Sequence, residues 1–230
     1  MAIIKQQKAK ILDVINVFET GSPQGKYDSI TILQDGPVLH GEKVFQITYG
    51  RSQTTEFGNL RRLLALYIAR NGKFKSEFQL YLDKCGQHPS LRTDEKFKNL
   101  LIQAAREDSI MQEVQDEFFD THYFQPALNW FNQQGFQEAL SLLVIYDSFI
   151  HSGGILKFLR QRFPEKTPAN GGDEKTWITQ YVEVRHEWLR THANPILRNT
   201  VYRTECFKKQ IQSNNWDLAQ PVDANRLVLA

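Results

Sequence analysis

Apolar residues recur three and four positions apart along most of this chain, and β-rich runs occupy only a short stretch near its start. Over residues 5–18, Ala9, Ile11, Leu12, Ile15 and Phe18 mark one face of a helix. That helix is predicted to stop near Thr20, because Gly21, Ser22 and Pro23 follow at once. Two β-rich runs come next, at 30–33 and 44–49, joined by Gln34-Asp35-Gly36-Pro37 and the residues on to Lys43. This predicts a hairpin with a long, irregular loop. Beyond Gly50 the period is helical, with segments predicted at about 54–71, 73–84, 93–107, 109–132, 135–151, 154–162, 173–192 and 194–212. Residues 139–150 are nearly all apolar and too many for a strand, so they predict a central helix buried on most sides. Residues 164–173, rich in Pro, Gly and Asn, read as a loop. The pattern has no internal repeat and no clean linker. It predicts an α+β fold, mainly α-helical, with one small β-hairpin.

Composition narrows the function. Hydrophobic residues make up 41% of the 230 and charged residues 23%, which suits a globular protein rather than a disordered or coiled-coil one. A net charge of +2 without any block of like charges argues against nucleic acid as partner. No run approaches the ~20 apolar residues of a membrane span. Two cysteines, Cys85 and Cys206, make no disulfide framework, and whether they pair is open at this level. The six histidines, at 40, 88, 122, 151, 186 and 192, show no metal-ligand spacing with acidic partners. A Gly-x-Ser-x-Gly elbow and a Gly-rich phosphate loop are both missing from the sequence. Neither a metal nor another cofactor is expected.

The remaining chemistry belongs to carboxylates. Glu19 lies four, seven and eight positions beyond Ile15, Leu12 and Ile11, on the apolar face of the first helix. Partial burial there favours a protonated carboxyl, as a general acid requires. Asp35 follows on the predicted hairpin, with Asp28 and Glu42 as competitors for its role. A helix-terminal Glu facing a hairpin Asp across a cleft is a workable pair for glycosidic cleavage, one protonating the leaving oxygen and the other activating water. Farther on, Asp147 sits on the stripe of the most apolar helix with Leu143 and Val144, and Arg185 on a stripe with Ile178, Tyr181, Val182 and Leu189. Buried charges need partners, which predicts an Asp147–Arg185–Glu174 network.

Several segments resemble the family-46 chitosanases. Thr167-Pro-Ala-Asn-Gly-Gly-Asp-Glu-Lys-Thr-Trp177, running on to Tyr181-Val-Glu-Val-Arg185, is similar to that family's proline–glycine–glycine–aspartate–glutamate segment and long helix. Tyr146-Asp-Ser-Phe-Ile-His151 and Asn214-Asn-Trp-Asp-Leu218 with Pro221 match in the same order, so the resemblance covers nearly the whole chain. It implies two mainly helical lobes around a cleft, related to the lysozyme superfamily. The minor lobe would span about 20–135, and the major lobe the first helix and about 136–230. It implies Glu19 as acid, Asp35 as base, and Asp147, Glu174 and Arg185 as a supporting network. Substrate contacts fall on His151, Glu183 and, by a looser match, Glu56. His40 stands where the family has a water-positioning threonine, a role Thr48 on the returning strand could take. Pro37 and Leu39 replace the family's arginine and tyrosine in the loop after Asp35, and residues 47–56 also differ in flavour. Tyr49, Trp177 and Tyr181 are candidates to stack on sugar faces.

The expected function is endo-acting, inverting hydrolysis of β-1,4 bonds in an amino-sugar polysaccharide, chitosan first. Peptidoglycan, favoured slightly by a pI of about 8.4, is the alternative substrate. A carbohydrate-binding homologue with impaired catalysis is the third reading. A monomer is expected, secreted or periplasmic, although the opening residues MAIIKQQKAK lack a signal-peptide apolar region.

Overall fold

The computed structural model describes residues 3–51 and 54–230. Ser52 and Gln53, inside the divergent 47–56 stretch, and Met1 and Ala2 lie outside the described residues. The chain divides into two compact units: residues 25–120 form one, and residues 1–24 with 121–230 form the other.

Helix α1 (Lys5–Thr20) ends where the pattern predicts, because Gly21 takes a left-handed conformation with φ of 73° and returns its N–H to Val17 O. The unit that follows is built on an antiparallel sheet. Strand β1 (Ile30–Leu33) pairs with β4 (Gln46–Tyr49) in the register Ile30↔Tyr49 to Leu33↔Gln46, and β4 pairs in turn with β5 (Thr54–Thr55). Between β1 and β4 the chain makes a second small hairpin from β2 (Val38–Leu39) and β3 (Glu42–Lys43). Its turn is His40-Gly41, both at positive φ.

The helix expected from residue 54 begins later. Residues Glu56–Leu60 form a π-type turn broken at Gly58, where a Cβ would meet Thr55 Oγ1 at 2.5 Å, and α2 (Arg61–Ala69) follows. Only α3 (Lys75–Gln79) is helical in the 73–84 segment. Asp94 and Asp108 cap α4 (Glu95–Glu107) and α5 (Ser109–Phe119) by accepting the N–H groups of Phe97 and Ile110. Leu63, Leu64, Tyr67, Phe97, Leu101, Met111, Val114 and Phe118 are buried in this unit.

The predicted 109–132 helix is two helices. After a π-type turn at Asp120–Phe124, α6 (Gln125–Gln133) starts with Pro126 in its first turn, the one place where a missing N–H is tolerated. The units divide at residues 120 and 121 rather than near 135, because Phe124, Ala127 and Phe131 belong to the core around α7 (Ala139–Ser152). Every residue of α7 from Ala139 to Ser148 is buried, as its apolar run predicts. Burying a Leu, Ile or Val side chain contributes about 1.5–3 kcal/mol, so this helix is the main anchor of its unit. A short helix α8 (Lys157–Arg160) and a loop lead to α9 (Glu174–Thr191), capped by Asp173.

The expected 194–212 helix is likewise interrupted. It comprises α10 (Pro195–Arg198) and α11 (Tyr202–Gln212), with Thr200 turning its hydroxyl back to Leu197 O. The chain ends in a hairpin that sequence reading missed, β6 (Val222–Ala224) with β7 (Leu227–Leu229), turning at Asn225 and Arg226. Lys10 of α1 donates to Leu218 O and Gln220 O, and Gln7 to Asp217 O, so the first helix is tied to the closing segment.

Candidate active site

Glu19 occupies the last turn of α1 with 12% of its side chain exposed. Its partner comes from α11, where Arg203 Nη2 donates to Glu19 Oε1 at 2.6 Å. The same guanidinium donates through Nη1 to Asp147 Oδ1 at 2.8 Å, and Arg185 Nη1 donates to Asp147 Oδ2 at 2.6 Å. The charges therefore alternate along Glu19–Arg203–Asp147–Arg185, with the last three at 5% side-chain exposure or less. Arg203 also lies over the rings of Phe18 and Tyr202, and Tyr202 donates its hydroxyl to Phe18 O, closing the apolar wall around the ion pairs.

Burial by itself would push the Asp147 carboxyl up. The guanidiniums of Arg185 and Arg203 outweigh this and hold it below its ordinary value. Burial likewise disfavours the Arg203 cation, but Glu19 and Asp147 overcome that and raise its pKa further. A buried charge left without its counter-charge is expensive, so the four groups stand or fall together.

Asp147 and Arg185 meet as the apolar stripes predict, but Glu174 is not in their network. It begins α9 eleven residues before Arg185, and eleven residues rise about 16 Å along a helix. Glu174 instead accepts the backbone N–H groups of Gln137 and Glu138 ahead of α7, a cap on that helix. Its expected place is filled by Arg203. The signal was present: Arg203, Cys206, Phe207 and Gln210 recur at helical spacing and are all buried.

His151 lies one turn beyond Asp147, half-buried, with Nδ1 3.2 Å from Ser152 Oγ. Burial, then the nearby positive charges of Arg185 and Arg203, lower its pKa to about 3, so the ring is neutral under ordinary conditions. Glu183, on α9, is exposed and pairs with Lys208 at 2.8 Å.

Asp35 stands exposed in the loop after β1. Gln46 Nε2 donates to its Oδ1 at 2.8 Å. The following Gly36 is required by close packing: its N–H donates to Val44 O, and a Cβ there would meet that oxygen at 2.7 Å. Of its competitors, Asp28 is paired with Arg106 at 2.6 Å, and Glu42 is exposed on β3.

Other expected contacts are placed differently. His40 is exposed at the β2–β3 turn. Thr48 is buried on β4, its hydroxyl sealed from solvent and without a hydrogen-bond partner among the described residues. Glu56 is wholly buried, accepting from Leu91 N, Ser90 Oγ and Ile47 N. It braces the unit that carries Asp35 and offers nothing to a sugar. Tyr49, Trp177 and Tyr181 are also fully buried, so they are core residues rather than stacking platforms. Cys85 and Cys206 are free and buried, each thiol pushed up to about 12 by burial. Among the described residues no helix is long and apolar enough to cross a membrane. No group of three or more His, Cys, Asp or Glu side chains there is placed to hold a metal ion.

The sequence matches the model of Glycosyl hydrolase family 46 over residues 13–222. The chain belongs to glycosyl hydrolase family 46. As a family 46 member it is a glycoside hydrolase. Its similarity to a chitosanase of Bacillus subtilis (strain 168) is 26% identity, spanning 95% of this chain and 81% of the relative. A chitosanase of Streptomyces sp. (strain N174) is 30% identical over 98 residues, 39% of this chain and 34% of that one. The fold is similar to that of native chitosanase from Bacillus subtilis MY002, with a TM-score of 0.82 and 23% identity over the full length of both chains. A mutant of that enzyme complexed with 6 GlcN superposes equally well, with the same TM-score of 0.82, 23% identity and full coverage of both chains.

Two expectations follow from this geometry. Asp147→Ala and Arg203→Ala each strand a buried charge and are expected to cost about 3–5 kcal/mol of stability. Chemical denaturation of both variants measures this, and midpoints equal to the parent protein's would show the network to be solvated. The second concerns pH. The folded protein keeps His151 neutral down to about pH 3, whereas the unfolded chain protonates it below its ordinary value of 6.5. Unfolded molecules bind the extra proton in that window, so stability falls as pH drops from 6.5 toward 3. Between about pH 7 and 4.5 this one group accounts for roughly 2–3 kcal/mol, and His151→Gln should flatten the acid-side decline by that amount.

Proposed function

We propose that this family 46 hydrolase cleaves the β-1,4 bonds of chitosan, endo-acting and with inversion, using Glu19 as general acid and Asp35 as general base. The observation that carries the reading is Glu19 itself, a partly buried carboxyl held by an arginine that is in turn locked to a fully buried aspartate. A surface carboxylate would need no such anchorage. A group that must deliver a proton to one oxygen of a bound sugar does, since small errors of position cost rate steeply. The chitosanases among its relatives, and the 6 GlcN complex of one of them, support an amino-sugar polymer as substrate.

In the proposed reaction Glu19 gives its proton to the glycosidic oxygen as that bond breaks. Asp35 takes a proton from the water that attacks the anomeric carbon from the opposite face. The new anomer is inverted, and the proton gained by Asp35 and lost by Glu19 is exchanged with solvent before the next turnover. Arg203 serves as the positioning group for Glu19. Exposed Glu183 and the carboxylate of Asp35 suit the ammonium groups of a polycation, and neutral His151 can give or accept a hydrogen bond without repelling one. His40 is a further exposed contact for the sugar. A polysaccharide does not enter an intact cell, so the work is done outside it.

Incubation with chitosan and, separately, with peptidoglycan tests the substrate, with new reducing ends as the readout. Chitosan alone is expected to yield them. Cleavage of peptidoglycan alone would make the protein a muramidase, and cleavage of neither would leave a binding protein. Glu19→Gln and Asp35→Asn are each expected to lower turnover by about 10²–10⁴ without loss of fold. Either variant retaining more than about a tenth of parental turnover overturns its residue's role. NMR of the first-formed product should show the α-anomer, and a β product would exclude inversion.

A further inference from the structure

We propose that Gln46 is a positioning residue that holds the Asp35 carboxylate in its working orientation, an inference that rests on Asp35 being the base. Gln46 is buried on β4, at the position paired with Leu33 of β1, two residues before Asp35. Its amide is used at both ends. Phe57 donates its backbone N–H to Gln46 Oε1 at 3.0 Å, and Gln46 Nε2 donates to Asp35 Oδ1 at 2.8 Å. A glutamine amide accepts through one atom and donates through the other. The fixed N–H of Phe57 can be met only by Oε1, so the NH2 group has to face Asp35. The backbone thus decides which way the amide points, and the amide fixes Oδ1 of the carboxylate as an acceptor. Oδ2 has no protein partner among the described residues and is the oxygen available to take a proton from water.

Other charged groups nearby are directed elsewhere. Glu56, adjacent to Phe57, is buried against Ser90 and Leu91, and Asp28 is paired with Arg106. On the β2–β3 hairpin, His40, Glu42 and Lys43 are exposed. His88 packs on the Phe57 ring at 5.1 Å, and Arg92 lies over the Phe45 ring at 5.5 Å. None of these forms a hydrogen bond or ion pair with Asp35 among the described residues, so Gln46 alone grips a carboxylate that is otherwise exposed in a loop. A buried amide with both ends satisfied is also a costly thing to place beside a solvated group by chance, since its polar atoms must be matched or desolvated without return.

Two substitutions test the role. Gln46→Leu keeps much of the volume and loses the donor. It is expected to lower kcat at least about tenfold while KM changes by less than about threefold, the pattern of an interaction needed in the transition state. Gln46→Glu keeps an oxygen for Phe57 N–H and puts a second carboxyl against Asp35. Protonated, that carboxyl donates as the amide does; ionised, it donates nothing and repels Asp35. The ratio of variant to parental rate on chitosan oligomers, which cancels titration of the substrate, should therefore fall at least about tenfold from pH 4.5 to 7.5. A pH-independent ratio, or parental kcat in Gln46→Leu, overturns the proposal. If Gln46→Leu does not fold, the pH ratio of Gln46→Glu decides. Asp35→Asn separates the two inferences: an active Asp35→Asn sinks the base assignment, whereas an inactive one with a flat Gln46→Glu ratio sinks only the role of Gln46.

Discussion

An aspartate with no exposed surface, gripped by two arginines, is the constraint around which the larger unit is organised. Asp147 is ionised in the middle of its most apolar helix, where an unpaired charge would be intolerable. Its two oxygens claim one guanidinium from α9 and another from α11, so these helices can approach α7 in only one register. Arg203 then has donors left over, and α1 supplies Glu19 to meet one. Four helices distant in sequence are joined by three ion pairs. Hydrophobic packing alone would tolerate sliding of one helix along another; a chain of alternating charges does not. The one member of this chain that reaches solvent is the carboxyl proposed to do the chemistry.

The smaller unit solves a related problem with hydrogen bonds from neutral donors. Glu56 gathers two backbone N–H groups and a serine hydroxyl, fixing β4 to the segment at Ser90 and Leu91. Gln46 ties the adjacent Phe57 to the loop after β1. Both carboxylates proposed as catalytic are therefore held by side chains that are themselves buried and bonded to a second group on their other side, one ionic, one amide.

Much of this was legible in the residue pattern, and the failures have physical causes. Asp147 and Arg185 stand out because a charge on an otherwise apolar stripe has to be explained. Arg203 sits on an equally periodic stripe, but α11 is polar overall and Cys206 and Gln210 dilute its signal. Glu174 lies on the same helix as Arg185, but three turns of rise carry it out of reach of Asp147. Glu56, Tyr49, Trp177 and Tyr181 illustrate a different limit: types that bind sugars are the same types that fill cores or brace loops, and only packing separates the two. Helix breaks at Gly58 and at Asp120–Phe124 preserve the apolar periodicity, so only Gly58 and Pro126 mark them. The closing hairpin depends on Asn225 and Arg226 adopting left-handed conformations, which is a weak cue for arginine.

The tie between Lys10 and the carbonyls of Leu218 and Gln220 has a consequence for how the molecule comes into being. The apolar face of α1 is covered by α7 and by segments some two hundred residues farther along the chain. Residues 25–120, a compact unit made of one continuous stretch, can fold while synthesis proceeds. The cover of the first helix is complete only once those distant segments are in place, and closing so long a loop is the slow, entropically costly part of reaching the native topology. Until then Ile11, Val14, Ile15 and Phe18 are apolar surface open to self-association.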